Sequence, residues 1–175
     1  MEKKMYFCTQ LIKMMIEATT KPIVKLAVLD TVLVAAACLI PAASHLFAVP
    51  LYVLNPMLAL LLAGVILGRD WRNALVLAVL MPLVSSLLTG MPAAPKMVCM
   101  MAELATVAGL FHLLSRRWNA VVSVFAAILA GKVVYYTLKA VVIAPAVLVG
   151  TEWWMQLLAV ALWGGLFAAF YKRMR

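Results

Sequence analysis

Two histidines, three cysteines and six carboxylates in 175 residues leave little with which to build an active site. The cysteines (Cys8, Cys38 and Cys99) show no paired spacing, so a disulfide framework is not expected, and no His/Cys/carboxylate group has metal-ligand spacing. His45 and His112 stand alone, and HExxH, GxSxG and phosphate-loop patterns are all missing. A metalloenzyme, a serine hydrolase and an ATPase are thereby disfavoured, and neither a catalytic residue nor a cofactor is assigned. Charge is scarce as well: 12% of the residues are Asp, Glu, Lys or Arg, about half the usual share for a soluble domain.

What fills the chain is apolar. Hydrophobic residues make up 67% of it, in runs close to the roughly 20 residues that cross a bilayer core of about 30 Å, separated by clusters of charge, Pro and Gly. Six spans are expected: 23 to 43, 55 to 68 (short), 73 to 89, 95 to 114, 118 to 144 and 152 to 171. The runs do not alternate as barrel strands do, and open strand edges find no partners in hydrocarbon, so the expected class is an all-α six-helix membrane bundle over 22 to 175. Residues 1 to 21 form a separate basic segment. Tyr6, Phe7, Leu11, Met14 and Met15 against Lys4, Lys13 and Glu17 suit either a surface-lying amphipathic helix or a basic tail.

Orientation follows from the cations. Lys3, Lys4, Lys13, Lys21, Lys25, Arg69, Arg72, Arg116, Arg117, Lys172, Arg173 and Arg175 all fall on one side of a six-span arrangement, leaving three of the 15 Lys and Arg elsewhere. The positive-inside bias puts both termini in the cytoplasm and the loops at 43 to 55, 89 to 95 and 144 to 152 outside. The net charge of +9 is therefore an expression of topology and of contact with membrane lipid, and gives no reason to invoke nucleic acid.

Ionisable side chains left inside the spans are the informative ones, since each costs about 2.5–3.5 kcal/mol at the bilayer centre without a partner or a wet cavity. They are Asp30, Lys96, Glu103, Lys132 and Lys139. Lys96, Met100, Glu103 and Val107 share one helix face; Lys132, Tyr135, Tyr136 and Lys139 share another. If the two faces meet, Glu103 pairs with Lys132 or Lys139, and a cation remains in an outward-opening chamber suited to an anion. The plainer alternative is a structural interhelical pair, with Lys96 and Lys139 snorkelling outward. Asp30 is expected to pair locally with Lys25.

The outward loops are unusually apolar. SHLFAVPLYVLNP (44 to 56) and GTEWWMQ (150 to 156) read as lids, with Asn55, Thr89 and Gln156 offering hydrogen bonds beneath them; alternatively Tyr52, Trp153 and Trp154 are interface anchors. Small-residue stripes at Ala27, Thr31 and Ala35, and at Ala161, Gly165 and Ala169, permit close helix packing inside the bundle or against another membrane subunit.

LNPMLALLLAGVILG (54 to 68), MPLVSSLLTGMP (81 to 92) and MMAELATVAGL (100 to 110) together resemble the second to fourth helices of the substrate-binding S components of energy-coupling factor (ECF) vitamin transporters. The resemblance implies a subunit of the bacterial or archaeal plasma membrane that captures a vitamin or related micronutrient from outside. Such a subunit has no ATPase of its own and reorients in the membrane with a transmembrane coupling protein and two cytoplasmic ATPases. It also implies a gate at 44 to 56, including His45 and Tyr52. The pocket would draw on Asn55, Thr89, Lys96, Met100, Glu103, Lys132, Tyr135, Tyr136, Lys139 and Trp153, and the coupling protein would dock on Ala27, Thr31 and Ala35. Where the family docks through Ala-xxx-Ala this chain has Thr31-xxx-Ala35, and its Gly68-Arg69-Asp70 turn departs from the family's Gly-Pro-like one.

Three other classes compete. A small multispan enzyme using Glu103 as base lacks a nucleophile and base at suggestive spacing. A membrane scaffold would keep the charges as purely structural features. A stand-alone secondary transporter would need matched interrupted helices in two halves, which the six spans do not display.

Overall fold

The computed structural model describes residues 23–41, 43–44, 46, 55–68, 70–142 and 153–174, with side chains in the last stretch described over 155–171. The regular structure of the described residues is α-helical throughout: α1 (Ile23–Pro41), α2 (Pro56–Gly68), α3 (Trp71–Thr89), α4 (Ala94–Leu114), α5 (Ala120–Val142) and α6 (Trp153–Met174). Helices α1, α3, α4 and α5 are each long and apolar enough to cross a membrane. The 13 residues of α2 extend about 20 Å, and the described apolar part of α6 runs over Met155–Tyr171. The chain is thus a multi-pass membrane protein by helix length and composition. The N-terminal segment 1 to 21 and most of the 44 to 56 loop, with His45 and Tyr52, lie outside the described residues, as does the side chain of Trp153.

Local chemistry sets the helix ends. Asp70 is the N-cap of α3, its Oδ1 accepting from the Arg72 N–H at 3.0 Å, and satisfies one of the donors a helix start leaves open. Gly90 ends the helix at φ 70, where a residue with a Cβ is disfavoured, and its N–H reaches the Ser86 carbonyl. The turn that follows is tied by hydroxyls: Ser85 donates to the Met91 carbonyl at 2.9 Å and Ser86 to the Pro92 carbonyl at 2.8 Å. Pro95 then sits in the first turn of α4, where its missing N–H costs nothing.

Helix α4 packs against α2, α3 and α5; α6 packs against α5 and α2. Leu58 and Leu61 of α2, Leu77 and Met81 of α3, Leu104 of α4 and Ile128 of α5 are fully buried at the shared core. The outer face carries many large apolar side chains. Leu87 and Val141 are 76% and 79% exposed, an arrangement that would forfeit about 1.5–3 kcal/mol per side chain in water and loses nothing against acyl chains.

Helix α1 is the least embedded, with 11% of its window buried. Leu33 and Ala37 face the core, whereas Ala27, Thr31 and Ala35 face outward. The Thr31 hydroxyl bonds the Ala27 carbonyl one turn back, at 2.8 Å. Asp30 does not use the local partner expected for it. Its Oδ1 accepts from Asn73 Nδ2 at 2.8 Å, joining α1 to the first turn of α3.

Candidate ligand-binding site

The α4 and α5 faces identified in the sequence do meet, and Gly131 sets how closely. A Cβ built on it would lie 2.6 Å from Val107 Cγ2 and 3.1 Å from the Glu103 carbonyl oxygen, so only glycine admits this approach of the two backbones. The next residue, Lys132, is thereby brought alongside Glu103: Lys132 Nζ lies 2.8 Å from Glu103 Oε1. Both are buried, Glu103 at 2% and Lys132 at 9% exposure. In such surroundings the pair is held by attraction and by hydrogen bonds together, because either charge alone would be strongly disfavoured.

Two further helices complete the coordination. Asn55, immediately before α2, donates from Nδ2 to the same Glu103 Oε1 at 2.9 Å. Lys132 Nζ donates to Gln156 Oε1 of α6 at 3.0 Å. Asn55 has φ 48, a left-handed conformation that asparagine tolerates better than most residues, and its carbonyl accepts from the Leu58 N–H at the start of α2. Its main chain therefore starts a helix while its side chain reaches across the bundle. One acidic, one basic and two amide side chains from four sequence regions converge on a single buried knot.

Toward the Lys96 end of the bundle the surroundings become more open. Lys132 Nζ is 5.7 Å from the Tyr135 ring centroid, within cation–π range. The Tyr135 and Tyr136 rings meet edge to face at 5.3 Å, and both residues are half-buried. Lys139, also half-buried, lies within Coulombic reach of Lys96, which is exposed. Met100 is half-buried and adjoins the core.

Thr89 stands apart from this cluster. Its hydroxyl donates to the Ser85 carbonyl at 2.7 Å and also contacts the Met91 carbonyl and N–H, so it is engaged in the α3–α4 turn. Gly131 escaped the sequence reading, although a glycine directly before an intramembrane lysine is the kind of signal that marks close helix approach. Among the described residues no group of three His, Cys, Asp or Glu is placed to hold a metal ion. No family model, curated protein or solved structure matches the chain.

Proposed function

We propose that the protein is the substrate-binding subunit of an ECF-type importer of a prokaryotic plasma membrane: a six-span bundle with both termini in the cytoplasm that captures a small anionic vitamin or related micronutrient from outside. The observation that carries this reading is the buried Glu103–Lys132–Asn55–Gln156 knot, with Tyr135 and Tyr136 one helical turn away on α5 and Lys139 and Lys96 two turns away on α5 and α4. The knot is internally neutral, so any attraction for an anion comes from the wider excess of positive charge at this end, to which Lys139 and Lys96 contribute. Tyr135 and Tyr136 offer ring faces and hydroxyls for the rest of the ligand.

The outward-facing Ala27, Thr31 and Ala35 on the weakly embedded α1 support docking to a membrane coupling protein. Two cytoplasmic ATPases would supply the energy that the chain has no motif to supply. The 44 to 56 loop, joined to the knot through Asn55, would act as the gate.

The competing reading is a scaffold in which the charges only hold helices together, and it is favoured by the two interhelical acceptors, Glu103 and Gln156, that Lys132 already engages. Native mass spectrometry of the purified chain, followed by a thermal-shift screen of vitamins, separates the two. Retention of one small molecule per chain is expected, with affinity falling about tenfold to a hundredfold in Lys139→Ala, the scale of one charged hydrogen bond. An empty protein that no vitamin stabilises, and that is indifferent to Lys139→Ala, would leave the scaffold reading standing.

A further inference from the structure

The end of the bundle remote from Lys96 holds a cavity of about 400 Å³ between the C-terminal ends of α2, α4 and α6 and the start of α3. Its floor is apolar, built from Val65, Ile66, Ala108 and Phe111. Its rim carries Trp71 and His112, whose rings stack at 4.9 Å with 17° between their planes. His112 also fixes a cation: Arg116 Nη2 lies 2.9 Å from His112 Nε2, and since a guanidinium only donates, the ring nitrogen is the acceptor. Arg72 and Arg117, both exposed, lie at the same end, and like Arg116 they stand outside the cavity lining. The carboxylate on the cavity wall, Asp70, accepts from the Arg72 N–H as the cap of α3.

This combination is selective. An apolar floor gives nothing to a small hydrated anion, and arginines set just outside the rim, with Arg116 tied to the rim residue His112, give little to a zwitterionic headgroup, whose own ammonium competes for the phosphate. A molecule with one phosphate and an attached acyl chain satisfies both parts, and the ends of membrane helices are where such molecules are most concentrated. Trp71, 41% exposed, lines the cavity, and Trp118 in the turn after α4 is 52% exposed; both are residues suited to the headgroup layer. We propose that this cavity is a binding site for an anionic phospholipid, with the phosphate held by Arg116 and the upper part of one chain on the Val65–Ala108–Phe111 floor. The site is independent of the transport reading and rests only on the membrane setting of the helices.

The test uses the full chain in detergent, melted in the presence of phosphatidylglycerol, phosphatidylcholine with the same chains, glycerol 3-phosphate or inorganic phosphate. Near-saturating phosphatidylglycerol is expected to raise the melting temperature by about 5–10 °C, with little effect from the other three. One phosphatidylglycerol per chain should survive in native mass spectra. Arg116→Gln, at an exposed position, should lower phosphatidylglycerol affinity at least tenfold while leaving the lipid-free melting temperature within about 2 °C of the parent. Ala108→Met, which occupies the floor, should remove the lipid response. Equal stabilisation by phosphatidylcholine, an unchanged response in Arg116→Gln, or an equal shift with inorganic phosphate alone would overturn the assignment.

Discussion

Gly131 of α5 lies against the main chain of Glu103 of α4, so close that a methyl group there would stand 3.1 Å from the Glu103 carbonyl oxygen and 2.6 Å from Val107 Cγ2. The glycine and the ion pair are therefore one device: the first sets the interhelical distance over which the second can form.

Gly131→Ala should force α4 and α5 apart and destabilise the protein by about 1–3 kcal/mol, the usual cost of overpacking. Val107→Ala in the same chain removes the nearer obstacle and should restore part of the loss. Thermal melts of the two single variants and the double variant measure this, and simple additivity would show that the close approach at Val107 is not the cause.

Removing one member of the buried pair leaves the other uncompensated. Lys132→Met is expected to cost about 3–5 kcal/mol. Adding Glu103→Gln should recover much of this, because the amide oxygen of the introduced glutamine can still accept from Asn55 Nδ2. Chemical unfolding in mixed micelles should thus rank the parent first, the double variant second and Lys132→Met last.

Asn55 contributes through both its backbone and its amide. Asn55→Gly should lose only the hydrogen bond to Glu103, worth about 1.5–3 kcal/mol for a charged acceptor. Asn55→Ala should cost about 1 kcal/mol more, since a Cβ is disfavoured at φ 48. Asn55→Asp should be the worst of the three, placing a second carboxylate beside the first. A melt series in which alanine equals glycine would remove the conformational part of this account.

The Asp30–Asn73 bond joins α1 to the rest of the bundle. Asp30→Ala should increase amide hydrogen exchange at the start of α1 while leaving α4 and α5 protected, whereas Asp30→Asn keeps an acceptor for Asn73 and should stay near the parent. Uniform exchange changes across all helices would contradict a local role.

Helices α3, α4 and α5 were legible in the sequence to within about two residues because membrane insertion writes itself as long apolar runs with charged ends. Expected spans at 73 to 89, 95 to 114 and 118 to 144 correspond to Trp71–Thr89, Ala94–Leu114 and Ala120–Val142. The two polar faces were legible by helical spacing alone. Which lysine Glu103 holds was not, because Lys132 and Lys139 lie on the same face of α5 and only the register set by Gly131 selects between them. Nor was Asp30's partner: Asn73 is 43 positions away, and helical periodicity carries no information about contacts at that range. Thr89 was read as a hydrogen-bonding group for the site because its place near a span end was known while its rotamer was not. The cavity beside Trp71 and His112 arises from where four helix ends stop relative to one another, a property of no single stretch of sequence.

The brevity of α2 has a geometric consequence. With Asp70 and Arg72 just past one end of it, a helix of about 20 Å in a hydrocarbon layer of about 30 Å stops roughly 10 Å short of the other boundary. Glu103 lies nine residues into α4, about 13 Å below that helix's start. The two depths nearly coincide, which is why an asparagine at a helix's beginning can bond a carboxylate in the middle of another. The knot therefore ties the start of the short α2 to α4 more than two helical turns from the start of α4, in the interior of the bundle rather than at its edge.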